Sequence, residues 1–213
     1  GTYEYNGIAN RVFQTPLSGN PLVITGEQQN IIRVTNSYVE IPVTGYVKVG
    51  KKLEFQAGAS ISFLVSSKGE GNWIFRGNSN RDGNPFDISI DLNHNYLKDD
   101  PFTEAVNDLD PATTTEFIAD GETIRIPNEI GAYFDYDTVD GNFYNPIDVG
   151  LHAGISFFLS PGLFVNFTGQ YGLLDITNNN YDFSQQDLNE NTPAPRSDVD
   201  RNVSLQGSIG FSF

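Results

Sequence analysis

The chain has no cysteine and no methionine. Without cysteine there is no disulfide framework and no thiolate to act as nucleophile or metal ligand. Without methionine the initiator is missing, which predicts a processed product or a fragment. No apolar run approaches the ~20 residues of a transmembrane helix, which excludes helical spans and leaves strand crossings of roughly 9–11 residues open. Basic residues are scarce, 12 Lys and Arg against 27 Asp and Glu, for a net charge of −15. Such a surface repels phosphates, so no nucleic acid is expected as a partner. A length of 213 residues suits one domain, residues 1–213.

The acidic residues are segregated. Fifteen lie between positions 78 and 140, against only Arg81, Lys98 and Arg125, and five more lie between 179 and 200. The rest of the chain is nearly neutral, and it is there that the side chains alternate.

The C-terminal "RNVSLQGSIGFSF" puts Val203, Leu205, Gly207, Ile209, Phe211 and Phe213 on one face and small polar residues on the other. "VEIPVTGYVKV" (39–49), "KLEFQAGASISFLVS" (52–66), "PIDVGLHAGISFFLS" (146–160) and "GLFVNFTGQYGLL" (162–174) alternate likewise, with no charge on the apolar side. A soluble sheet turns such an apolar face to a core; a membrane barrel turns it to lipid and keeps the polar face for the lumen. The tight turns "VGKKL" and "LSPGL" alternate with long links at about 8–30, 69–144 and 178–200. Short turns on one side and long loops on the other are the habit of outer-membrane barrels. The expected fold is therefore an all-β, antiparallel, up-and-down transmembrane barrel with three long external loops. Val43, Phe55, Ile61, Leu151, Ile155, Val165, Phe167 and Ile209 should face outward. A soluble secreted β-sandwich binding protein is the competing fold.

"SYVEIPVTGYVKVGKKLEFQAGASISFLVSSKGEG" resembles the strand–turn–strand of the PorT-like outer-membrane β-barrel family, small OmpA-like barrels whose members read approximately Y-L-E-I-P, an alternating run, then A-G. "DVGLHAGISFFLSPGLFVNFTGQYGLLDITN" resembles the following hairpin. The likeness covers about residues 30–77 and 143–213, with Val39 where leucine is usual. It implies an eight-stranded barrel in the outer membrane of Bacteroidetes-type bacteria, most relatives having no assigned activity. It also implies that the terminal Phe213 is a signal to the barrel-assembly machinery. In the family, two strands precede the segment matched here by "GTYEYNG". Five clear strands and a partial one at 2–8 are legible, whereas bacterial single-chain barrels have an even number. The first N-terminal strands are therefore expected to be missing; alternatively 129–139 or "PLVIT" supplies extra ones.

Three sets of residues are candidates for chemistry. Asp148, His152 and Ser156 have the residue types of a hydrolytic triad. Their spacing of four along a strand separates neighbours by about 13 Å, too far for proton transfer across roughly 3 Å; no catalytic function is expected. Glu40, Lys48, Lys52, Glu54, Asp148 and Arg201 face the lumen with both signs, predicting ion pairs that plug it or line a narrow pore. "DLNHNYLKDDPFTE" places oxygens at Asp91, Asn93, Asn95 and Asp99, a spacing of 1, 3, 5 and 9 that suits calcium, with Glu104 as a further ligand. Tyr96 and Phe102 stand where an EF-hand needs Gly and Glu, so a solvated acidic loop is the other reading. The aromatics of the long link, from Trp73 to Tyr136, predict that it compacts over the barrel mouth or against a partner.

The expected function is surface interaction, or a structural or accessory role in an envelope protein complex of the bacterial outer membrane. A small-solute pore is the alternative. Outer-membrane lipid is the expected surrounding.

Overall fold

A computed structural model describes residues 2–13, 22–101, 109–119, 122–134, 139, 141–180 and 198–211. Ten strands run through them: β1 (Thr2–Phe13), β2 (Leu22–Val49), β3 (Leu53–Ser79), β4 (Pro85–Asn95), β5 (Thr114–Ala119), β6 (Glu122–Pro127), β7 (Glu129–Ile130), β8 (Ile147–Phe158), β9 (Leu163–Gly172) and β10 (Val203–Phe211). The described residues contain no α-helix, only a single 3-10 turn at Pro111–Thr113. One sheet has the order β1-β2-β3-β8-β9-β10, with β4 on β3 and β7 on β4; β5 and β6 form a separate hairpin. Among the described residues the large sheet is open, with β1 and β10 at the ends of this path. Its pairings are antiparallel except β4 with β7.

Two compact units divide the chain. The second comprises Ser37–Val65, Phe143–Asn178 and Ser197–Phe213, and contains the five alternating stretches. Its hairpins close as the turns dictate: Gly50, at φ 67, opens the three-residue turn from β2 to β3. Val43, Phe55, Ile61, Leu151, Ile155, Phe167 and Ile209 are all exposed, and Val165 is half-buried. Between them Ser60, Ser62, Asp148 and Ser156 are buried. The apolar side chains point out and the polar ones point in, the reverse of a soluble sandwich. β10 is an end strand and leaves both faces exposed.

The first unit comprises Gly1–Asn36, Ser66–Asn142 and Asn179–Arg196, and follows the opposite rule. Leu22, Ile24, Trp73, Phe75, Phe86, Ile88, Ile90, Leu92, Ile124 and Ile126 form a buried cluster. Burying each of these side chains is worth about 1.5–3 kcal/mol. Trp73 stacks on Phe75 at 5.8 Å, and Phe86 meets Phe117 edge-on at 4.0 Å. The polar side chains Thr25, Glu27, Lys68, Glu70, Asn72, Arg76, Asp87 and Asp91 are exposed. Gly71 is required by close approach: a Cβ there would collide with the carbonyl oxygen of Ile31 on the neighbouring strand.

β2 therefore carries two patterns on one unbroken strand. Its even-numbered residues face inward throughout; they are Leu22, Ile24 and Val34 in one unit, and Glu40 and Thr44 in the other. β3 does the same with one slip. Its inward residues are even-numbered through Leu64 and odd-numbered from Ser67, which requires one extra residue at Ser66–Ser67, as a β-bulge supplies. Across that slip its partner changes from β8, ending at Phe63 and Ile147, to β4, starting at Lys68 and Asn95.

Two of the expected long links contain strands. Residues 8–30 are largely strand, with Ile8 of β1 paired to Glu27 of β2, and "PLVIT" is the start of β2 rather than an extra strand. Residues 69–144 contain the end of β3 and all of β4 to β7. Residues 129–139 supply only the two-residue β7 among those described. These strands bury their apolar faces in a core of their own, so their alternation has the opposite sense to the lipid-facing stretches. Of the link at 178–200, only 178–180 and 198–200 lie within the described residues. Glu104, Phe102, Tyr136 and Phe213 lie outside them.

Candidate functional site: the polar inner face

The inner face of the second unit brings together polar side chains from strands that are not neighbours. Thr44 on β2 bonds the Nε2 of His152 on β8 at 2.8 Å, passing over β3. Gln56 on β3 donates to Thr168 on β9 at 2.6 Å, passing over β8. Gln170 on β9 donates to the Oε2 of Glu40 on β2, passing over both. Strands lie about 4.8 Å apart, so a flat sheet would hold β2 and β9 roughly 14 Å apart. Direct side-chain bonding across that gap means that the sheet curls strongly and puts the polar groups on its concave side.

The three residues of the triad spacing have three separate partners. Asp148 Oδ2 accepts from Asn202 at 2.8 Å, His152 is held by Thr44, and Ser156 Oγ meets Asn166 Nδ2 at 3.0 Å. The structure does not bring them together. The expected mesh of ion pairs is also mostly neutral. Lys48 and Glu54 approach to 3.6 Å, the one ion pair of this face among the described residues. Lys48 also lies over the Phe158 ring at 5.2 Å. Arg201, expected on this face, instead donates at 2.7 Å to Tyr171 Oη on the outer side, beside exposed Leu151 and Val203. Hydroxyls and amides bridge the curled sheet without the desolvation penalty of a buried charge pair.

The stretch with calcium-like spacing lies on and beyond β4. Asp91 accepts from Asn72 at 2.9 Å, and Asn93 donates to Glu129 at 3.1 Å. As strand residues, Asp91 and Asn95 are about 13 Å apart along β4, whereas one Ca²⁺ gathers its oxygens at about 2.3–2.6 Å. Asp99 turns its Oδ2 to the backbone N–H groups of Asn95 and Ala132, at 2.7 and 2.8 Å, and so pins the turn after β4. The structure thus brings Asp99 onto Asn95 but spreads Asp91, Asn93 and Asn95 along β4. Among the described residues, no three His, Cys, Asp or Glu side chains group around one point.

His94, between these residues, is half-buried and contacts Tyr96 Oη at 3.0 Å. Burial pushes its pKa from 6.5 down to about 4, against the opposing pull of Asp99. The unfolded chain therefore takes up a proton near pH 6.5 that the folded chain refuses until about pH 4. Stability should fall as the pH drops through that window, by up to about 3 kcal/mol at its lower end. In urea titrations at pH 7, 5.5 and 4.5, a His94→Gln variant should show a shallower acid loss than the parent. Parallel slopes would mean that His94 does not carry the effect.

Sequence reading placed the polar residues of β2, β3, β8 and β9 on the inner face, misplaced Arg201, and missed which residues meet across that face. The signal was the even-numbered polar series on β2, β3, β8 and β9; the partners depend on curvature, which no single strand records.

A family model described as outer membrane protein beta-barrel domain matches residues 4–178. Neither a curated protein nor a solved structure matches the chain. Outward apolar side chains, an inward polar face and this match over most of the length agree. The chain belongs to the outer membrane protein β-barrel domain family and is an integral barrel protein of the bacterial outer membrane.

Proposed function

We propose that the protein is a PorT-like small barrel that acts at the cell surface through interaction, or as a structural or accessory subunit of an envelope complex, rather than as a pore. The observation carrying this reading is the Glu40–Gln170 bond with its neighbours Thr44–His152 and Gln56–Thr168, which tie side chains across the concave face where a conducting path would run. An eight-stranded barrel has an interior just wide enough to be filled by side chains. The first unit supports an interaction role. It has its own apolar core and shows water an acidic surface that includes Asp87, Asp91, Asp110, Glu116 and Glu129. In assembly, the C-terminal strand, described to Phe211, would be the part read by the barrel-assembly machinery.

Reconstitution into planar lipid bilayers tests the choice. The expected result is no discrete conductance steps at any applied voltage, together with co-purification of the native protein in a larger envelope complex. Discrete, reproducible openings would establish the small-solute pore instead.

A further inference from the structure

We infer that the concave face of the second unit holds a hard cation between Asp148 and Glu40. Asp148 on β8 is 4 % exposed. Its Oδ2 is occupied by Asn202, while its Oδ1 is buried and has no hydrogen-bond partner among the described residues. Directly opposite Asp148 in the β3–β8 register stands Ser62, whose hydroxyl donates to Glu40 Oε2 at 3.3 Å. That same Oε2 accepts from Gln170, which also donates to Ser60 Oγ at 3.3 Å.

Every donor to the two carboxylates is neutral. Lys48 of this face is engaged with Glu54, and Arg201 lies on the outer side with Tyr171. His152 is on Thr44. Buried Asp148 and exposed Glu40 thus flank Ser62 with no counter-charge bonded to either among the described residues, behind a wall whose outer side is apolar. Buried charges are tolerated when paired or when they coordinate a metal. The candidate ligands are Asp148 Oδ1 and the Glu40 carboxylate, whose Oε2 already accepts from Ser62 and Gln170, with the Ser60 and Ser62 hydroxyl oxygens beside them. An all-oxygen set suits a hard ion such as Ca²⁺. Glycines let these side chains lie close against the backbone. A Cβ on Gly172 would lie 2.8 Å from Asp148 Oδ2, and one on Gly150 would lie 3.2 Å from Gln170 Nε2.

The test is thermal unfolding of the chelator-stripped full chain in detergent micelles, with and without calcium chloride. Calcium should raise the melting temperature of the parent by binding the folded state. Asp148→Asn is nearly isosteric and removes one charge. It should melt higher than the parent without calcium and lose most of the calcium increment. Glu40→Gln should lose it too, and provides the reading if Asp148→Asn does not fold. Asp91→Asn, on the exposed side of β4, should keep the increment. An equal increment in the parent and both inner-face variants, or none in the parent, would overturn the assignment.

Discussion

Replacing Ile61 with arginine should destabilise the folded protein in lipid vesicles by about 2–4 kcal/mol, the cost of an arginine near the bilayer midplane on a barrel's outer face. Ile61 is 48 % exposed and lies near the middle of the apolar stretch of β3. The same change at Asn72, an outward residue further along the same strand, should cost no more than about 0.5 kcal/mol. The contrast follows from what each position faces. Around Ile61 the outward neighbours are Ala59 and Phe63, on a surface that suits hydrocarbon. Around Asn72 they are Glu70 and Ile74, with Asp91 bonded to the Asn72 amide at 2.9 Å. Equilibrium guanidinium unfolding from vesicles, followed by far-ultraviolet circular dichroism, gives both numbers. Equal costs at the two positions would mean that β3 has one environment along its whole length.

Truncation of Phe75 to alanine should cost about 3–5 kcal/mol, the usual range for a phenylalanine removed from a packed core. Phe75 is 0 % exposed, lies against Trp73 with the rings 8° from parallel, and belongs to the same cluster as Phe86 and Ile90. Losing the ring leaves a cavity that neighbours on paired strands cannot close without breaking the β3–β4 register, in which Phe75 stands opposite Ile88. Trp73 is the only tryptophan, so its fluorescence during urea unfolding reports this cluster directly. A cost below about 1 kcal/mol would place Phe75 on a surface rather than in a core.

The two variants probe opposite halves of one long pattern, and sequence reading caught only one half. At 39–49 and 53–65 the alternation is clean because one neighbour is lipid, which tolerates only apolar side chains, and the other is a narrow lumen, which favours small polar ones. At 22–34 the inward series runs Leu22, Ile24, Gly26, Gln28, Asn30, Ile32, Val34, while Val23 and Ile31 sit on the outward side. Those interruptions blur the period, so the segment looked like loop. In 67–79 the inward series is Ser67, Gly69, Gly71, Trp73, Phe75, Gly77, Ser79, where glycine serves close strand approach rather than a turn. The aromatics were read correctly as a sign of compaction; Trp73, Phe75, Phe86, Tyr96 and Tyr133 are all buried.

The inner face was legible as a face and illegible as a network. Alternation assigns Glu40, Thr44, Gln56, Asp148, His152 and Gln170 to one side. That Gln170 reaches Glu40 over two intervening strands depends on the curl of the sheet. Oxygens at alternate residues suggested calcium at Asp91, Asn93, Asn95 and Asp99 because that spacing converges on an ion when the backbone loops. Here most of it is extended in β4, which spaces the side chains along the strand instead of gathering them.

The absence of native cysteine allows one measurement to test the two-environment account along β3 without background labelling. Single cysteines placed from 53 to 78 would carry a fluorescent label in vesicles containing spin-labelled lipid. Strong quenching is expected at Phe55, Ala57, Ala59, Ile61, Phe63 and Val65. Weak quenching is expected at the inward positions between them, and lipid quenching should vanish from Ser67 onward. Quenching that ignores the alternation between 55 and 65, or that continues undiminished through Trp73 and Phe75, would contradict the assignment of lipid to one stretch of the strand and water to the other.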